Sequence, residues 1–403
     1  MRDLPDGWSR VTLQEITQEQ TKRVGSRQRI IVLSSTKHHG LVPSDEYFKG
    51  RTIYSDDLAN YKIVERDWFA YATNHLAEGS IGLQEAFDVS CVSPIYTVFS
   101  CRGGVDARYL FRVLKSPDLL AAYRVHEQAS VDRRGAVRYR DFGKIEITLP
   151  PEGEQRRIAE ILETIDSRIS TQDRIIAKIN DIQCGLTENL LGSVAPNNAP
   201  LGFYLSNTPK NGFSPKEVDE WTGIYSLGLG CLTSSGFSPR QLKHVSAGVA
   251  RNNAALLNDG DLLMSRANTR DLVGLAGIYR DIGSPCIYPD LMMRLVPVPN
   301  CRPEYLEILL RSSQVRRQIQ AVAQGTSESM VKISGPLVQQ LEVTIPTLAE
   351  QDRILNIIAA SQSEIEFEKR ERSKLLLMRQ GLTDDLLSGR YRVSDTDLVP
   401  KHL

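Results

Sequence analysis

The sequence predicts two mixed α/β (α+β) domains separated by two long antiparallel coiled-coil helices, related by a pseudo-twofold internal repeat. Three observations carry this expectation. A long segment recurs without a gap at a spacing of 196 residues. Pro150-Pro151-Glu152-Gly153-Glu154-Gln155-Arg156-Arg157-Ile158 is matched by Pro346-Thr347-Leu348-Ala349-Glu350-Gln351-Asp352-Arg353-Ile354, and Gly185-Leu186-Thr187 by Gly381-Leu382-Thr383. Each copy has a helical apolar stripe. Each copy also follows a larger, dissimilar segment with the same order of strands, helix, polar stretch, last strand and proline. Such repeats govern the whole architecture, because one repeat cannot bury its apolar face alone.

In the first segment, Arg29–Leu33, Cys91–Phe99 and Lys144–Leu149 read as strands. Tyr109–Leu114, and more loosely Ala107–Tyr123, reads as helix. Pro150 and Pro151 stop the last strand, and Glu152 and Glu154 suit a first helical turn. Residues 152–191 then read as one helix, with apolar positions Ile158, Ile161, Ile165, Ile169, Ile176, Ile179, Ile182, Leu186 and Leu190. The spacings are threes and fours, apart from one seven-residue step over Gln172, which is a coiled-coil-like stripe. Gly192-Ser193 and the P-N-N-A-P run at 196–200 end it. In the second segment Asp261–Ser265, Met293–Val296 and Leu341–Ile345 read as strands and Tyr305–Ala323 as helix. The second long helix carries Ile354, Ile357, Ile358, Ile365, Phe367, Leu375, Met378, Leu382 and Leu386, with Ser361, Glu368 and Arg372 weakening its middle. The boundaries are 1–149, 150–192, 193–345 and 346–391, followed by a tail, 392–403, expected to fray with Tyr391. A lone amphipathic helix of this length would leave its stripe wet, so the two are expected to bury their stripes against each other.

The 41% hydrophobic content supports packed cores. No apolar run reaches the ~20 residues of a membrane helix, and M-R-D-L-P-D-G-W lacks a signal-peptide core, so cytoplasmic residence without membrane association is expected. The six cysteines have no regular spacing and read as reduced, buried small residues. Net charge is zero, but residues 1–150 hold 21 Lys/Arg against 19 Asp/Glu and residues 193–346 hold 14 against 12, whereas 151–192 hold 5 against 8. The large segments are thus the slightly basic ones, the sign a DNA-binding face requires.

Catalytic patterns are missing. There is no P-loop, no acidic residue two before a lysine as in common metal nucleases, and no N/D-P-P-Y/F tetrapeptide of adenine methyltransferases; Ser93-Pro94-Ile95-Tyr96 lacks the amide or carboxylate. His38-His39 has no third metal ligand at a diagnostic spacing, Cys231 has no positioned histidine, and Leu227–Cys231 reads as a turn. What remains is recognition. Arg133, Arg134, Arg138, Tyr139, Arg140 and Lys144 mix cations with an aromatic ring, and arginine suits guanine edges and phosphates. Thr73, Asn74 and His75, and likewise Arg266, Asn268 and Arg270, stand at strand ends with base-competent side chains. Ser327 and Lys332 lie in a small polar stretch suited to close approach. Each of these groups also reads as an ordinary turn or salt-bridged loop.

With the paired proline–E-Q-x-R-I openings, the G-L-T-x-x-L-L endings, L-P-D-G-W at 4–8, V-L-S-S-T-K-x-x-G-L-V-P at 32–43, G-S-I-G at 79–82 and G-D-L-L-M-S-R at 260–266, the chain resembles the specificity subunit of type I restriction-modification systems over nearly its whole length. The resemblance implies that each large segment is a target recognition domain reading one half of a bipartite double-stranded DNA site. It implies a chain without catalysis or cofactor of its own. Two modification subunits would bring S-adenosylmethionine and adenine methylation, and ATP- and Mg2+-dependent restriction subunits can join them. Glu154, Gln155, Arg157, Glu350, Gln351 and Arg353 are candidates for bracing the helix starts or touching that partner. Asp352, where the first copy has Arg156, departs from the pattern. The competing readings are the targeting half of a stand-alone restriction–methylation enzyme and a coiled-coil scaffold that binds no DNA.

Overall fold

The computed structural model describes residues 4–26, 30–49, 51, 54–128, 136–246, 248, 254–325 and 330–393. The chain forms two compact units, one made of residues 1–173 and 371–403 and the other of residues 174–370. Each therefore contains one α/β domain and a part of each long helix.

In the first unit, Thr17–Glu19, Tyr96–Cys101, Trp68–Ala72 and Ile81–Leu83 form an antiparallel sheet in that order. A second sheet orders Gly40–Pro43, Ile31–Thr36, Val89–Val92 and Lys62–Glu65, with Ile31–Thr36 parallel to Val89–Val92. The expected strand Cys91–Phe99 is thus two strands in two sheets. Pro94 has no N–H for a ladder, and the chain turns there with Tyr96 N donating to Ser93 O at 3.0 Å. The sheets approach closely at Gly82, where a Cβ would stand 2.4 Å from the Leu41 nitrogen. Helices Ala107–Leu114 and Pro117–Gln128 replace the single loose helix, broken before Pro117. Phe69, Tyr71, Phe99, Tyr109 and Phe142 fill the core together with Ile158 and Leu162 of the long helix.

The second unit repeats the topology. Lys210–Asn211, Met292–Leu295, Leu262–Ser265 and Ala276–Ile278 form one sheet. Leu242–His244, Tyr225–Leu227 and Cys286–Ile287 form another, whose last pair is parallel. Gly277 stands in for Gly82, with a Cβ 2.6 Å from the Phe237 nitrogen. The expected helix Tyr305–Ala323 is Pro303–Arg311 and Ser313–Val322, divided at Ser312, whose hydroxyl caps the second. The Leu227–Cys231 stretch is a turn against Gln241, whose Oε1 accepts from Gly230 N at 2.8 Å, and Cys231 is buried with its thiol pKa pushed up by that burial.

The long helices span Glu152–Gly192 and Leu348–Leu387. In the first, the half-buried stripe continues from Ile165 through Ile169, Gln172, Ile176, Ile179, Gln183, Leu186 and Leu190, an unbroken alternation of four and three. Gln172 fills the step missing from the apolar pattern, and Gln183 replaces Ile182, which is 55% exposed. In the second, Phe367 and Met378 are likewise exposed. The stripe there runs through Ser361, Ile365, Glu368, Arg372, Leu375, Leu382 and Leu386. Polar side chains can hold such positions because their heads find partners. Arg372 pairs with Asp173 and Arg379 with Asp166 at 2.6 Å in the first unit, and Gln183 bonds Gln362 at 3.1 Å in the second.

The start of the tail is docked, against the expectation that it frays. Arg392 donates to Glu154 at 2.8 and 2.9 Å, Val393 N donates to the same carboxylate, and Trp8 Nε1 reaches it at 3.0 Å.

Candidate nucleic-acid interface

In the first unit the loop after strand Trp68–Ala72 carries Thr73, Asn74 and His75. Val137 N donates to Thr73 O at 2.8 Å, which draws the segment bearing Arg138 and Arg140 alongside it. Two of the sequence-predicted groups thus form one surface. Arg138, Arg140, Lys144 and His75 are exposed on it. Lys144 pairs with Asp141 at 2.8 Å, and that ammonium holds the Asp141 carboxyl below its usual pKa. His75 Nδ1 lies 3.0 Å from Glu78. The Asn74 side-chain oxygen Oδ1 is buried with no hydrogen-bond partner among the described residues, a cost that a donor reaching this loop would relieve.

Tyr139 has a different place from the one its neighbours suggested. Its hydroxyl lies 2.9 Å from Thr17 Oγ1 and its ring packs among Phe99 and Phe142, so it anchors the loop to the core rather than offering a free ring face. Arg133 and Arg134 lie outside the described residues. Ile95 was missed by the sequence reading. It is 60% exposed and its carbonyl accepts from Thr73 Oγ1 at 3.3 Å. An exposed aliphatic group at such a loop is suited to a thymine methyl. Its signal was the S-P-I-Y turn, read as part of the strand Cys91–Phe99 and as a failed catalytic tetrapeptide.

The second unit builds its edge in the same way. Ile333, at the position of Val137 in the repeat, donates from N to Arg266 O at 2.9 Å. Strand Ala267–Asn268 pairs with Val331–Lys332. Arg266, Asn268 and exposed Lys332 therefore share an edge, with Met330 exposed beside them. Arg270 is half-buried and engaged with a helix end. Its guanidinium donates to Gln320 O at 2.8 Å and Ala323 O at 3.4 Å, closing the carbonyl end of helix Ser313–Val322. Ser327 lies outside the described residues.

The helix-start residues divide sharply. Gln155 is buried. Its Oε1 accepts from Asp106 N at 2.9 Å, and its Nε2 donates to Gly104 O at 3.2 Å and Pro150 O at 2.9 Å. Gln351 repeats every bond 196 residues on, accepting from Arg302 N at 2.8 Å and donating to Asn300 O at 3.0 Å and Pro346 O at 2.8 Å. Both glutamines are internal braces with no surface to offer a partner, and Glu154 is buried in its clamp with Trp8 and Arg392. Arg157 bonds Glu160 at 3.1 Å. Exposed Arg353 pairs with Glu350 at 2.7 Å and lowers its pKa. Asp352 pairs with Arg302 at 2.9 Å, whereas Arg156 at the matching position pairs with Glu152 of its own helix.

Among the described residues no group of three or more His, Cys, Asp or Glu is placed to hold a metal ion, and no helix is long and apolar enough to cross a membrane.

Residues 108–181 match the type I restriction modification DNA specificity domain. This match covers one part of the chain, the end of the first domain and the start of the first long helix. The chain is 24% identical over 269 residues to the EcoKI specificity subunit of Escherichia coli K12, covering 62% of this chain and 58% of that protein. It is also 24% identical over 275 residues to the MjaVIII specificity subunit of Methanocaldococcus jannaschii, covering 63% and 64%. The match thus spans less than two thirds of either relative. The fold is similar to that of two solved structures over 97% of this chain and 100% and 99% of theirs. The TM-score is 0.61 at 17% identity to a chain from a structure of type I R-M complex assembly, and 0.52 at 18% identity to the HsdS subunit of Thermoanaerobacter tengcongensis.

Proposed function

We propose that the chain is the DNA-reading specificity subunit of a type I restriction-modification complex, residing in the cytoplasm. Each α/β domain reads one half of a bipartite double-stranded target through the edge just described. The long helices form an antiparallel coiled coil that fixes the gap, with a pseudo-twofold relation between the halves. The observation that supports this reading is the duplicated junction in which a backbone N–H closes onto a strand end, Val137 on Thr73 and Ile333 on Arg266, each built behind an identically braced helix start.

The antiparallel arrangement is supported by the helix-to-helix bonds. As the first member rises from Asp166 to Asp173 to Gln183, its partner falls from Arg379 to Arg372 to Gln362 in nearly equal steps. Under the 196-residue repeat, Asp166 and Arg379 correspond to Gln362 and Gln183, so one contact maps onto the other, as a dyad requires. A stiff helical pair suits the task because B-DNA repeats every ~34 Å and two readers must meet its grooves at fixed separation and rotation.

The chain performs no chemistry itself. Two modification subunits dock on the helices and bind the S-adenosylmethionine, and restriction subunits using ATP and Mg2+ join them. Leu377 and Met378 in the first unit, and Ile182 and Phe367 in the second, are exposed apolar side chains available for that docking. The test is methylation mapping of a host carrying the system before and after residues 1–149 are exchanged for a relative's segment. One half-site should change and the other remain. Changes in both, or no bipartite target, would overturn the reading.

A further inference from the structure

An ionic junction occurs in the first unit and not at the matching place in the second. Asp166, on the first long helix, accepts from Arg112 of the domain helix Ala107–Leu114 and from Arg379 of the second long helix. One turn earlier Glu163 takes Arg108 of the same domain helix at 3.1 Å, and Arg108 also meets Asp106, that helix's cap. Five charged side chains thus tie the domain to both long helices at one point. In the second unit the corresponding positions are Glu304, Ile308, Ala359, Gln362 and Gln183. The contact between the long helices survives as an amide pair, Gln183–Gln362 at 3.1 Å, but nothing ionic extends from it to the domain helix among the described residues. That domain is held elsewhere. Glu188 accepts from Ser313 N and Oγ at 2.7 and 2.8 Å, and Asp352 takes Arg302.

We propose that Asp166 is the positioning residue that sets the angle of the first reading domain on the helices, so that tolerance for the gap between half-sites is controlled from this junction. The inference rests on the DNA-reading proposal. Its logic is geometric. At this junction Asp166 bridges three elements, the domain helix and both long helices, and its carboxylate is shared by two guanidiniums. With about a third of the Asp166 side chain exposed (32%), salt reaches it, so the angle should loosen as ionic strength rises.

The test uses the full assembly with its modification subunits and the target mapped from the wild type. Binding is measured to duplexes with the native gap and with gaps one base pair shorter and longer. The ratio between duplexes is the readout, because phosphate contacts are common to all three and cancel. Asp166→Asn should reduce the wild-type preference for the native gap by about tenfold, the order expected for losing a hydrogen-bonded charge from a network. Arg112→Gln should do the same, and it decides the matter if Asp166→Asn does not fold. Asp173→Asn removes a helix-to-helix ion pair that touches no domain helix, and it should keep the preference. Added salt should relax the wild type toward Asp166→Asn and leave that variant little changed. The inference is overturned if Asp166→Asn and Arg112→Gln retain the wild-type ratio, or if Asp173→Asn relaxes it equally. A wild-type assembly with no bipartite target sinks the DNA reading itself and this inference with it.

Discussion

At the scale of the residue, the most consequential side chains are amides that no charge pattern highlights. Gln155 and Gln351 each satisfy one backbone N–H and two carbonyls where strand gives way to helix. Replacing either by alanine leaves one N–H and two carbonyls without these bonds, and since most of the bonds are part-buried each variant should lose about 1–2 kcal/mol in urea unfolding. A loss near zero would mean that water fills the place. On the first reading edge, Arg138→Ala with Arg140→Ala should weaken DNA binding across sequences and flatten the slope of log affinity against log salt by about one to two. An unchanged slope would remove both from the interface. Tyr139, between them in sequence, belongs to stability instead, because its half-buried ring packs against Phe99 and Phe142 at the edge of the core.

At the scale of the element, the long helices were legible because their periodicity is strong and prolines and glycines mark their ends. Their seams were legible only in part. Apolar counting selected Ile182, Phe367 and Met378, whereas the alternation of four and three runs through Gln183, Glu368 and Arg372, whose heads are engaged in pairs or at the helix surface. Side-chain chemistry yields to geometry when a polar head has a partner. The strand boundaries slipped where a turn residue broke an apolar run, as at Pro94. The pairing of Thr73 with Val137 could not be foreseen, since only the fold brings residues so distant in sequence together. Glycines gave a better guide than the strands: the last residue of G-S-I-G, Gly82, is where two sheets nearly touch. Gly82→Ala should cost about 1–3 kcal/mol through overpacking, readable as a lowered unfolding midpoint, and Gly277→Ala should behave alike. Equal stability would mean that the sheets can part without strain.

At the scale of the whole molecule, two α/β units of one topology carry different side chains on a duplicated helical frame. If the helices set the gap, removing seven residues from each at matched positions keeps the seam in phase and shortens the frame by ~10 Å, about three base pairs. Methylation mapping should then find both half-sites intact and the gap shortened by about that amount. Altered half-sites would separate the helices from the measuring role.

The identical bonding of Gln155 and Gln351 also says how such a molecule can change. Each glutamine grips main-chain atoms only, so the grip is indifferent to which side chains surround it. A foreign domain that presents one N–H and two carbonyls at this place would plug into the same socket, and its neighbours would register no difference. New targets could then arise by exchange of whole modules at a fixed fitting, with no need to rebuild the frame that receives them.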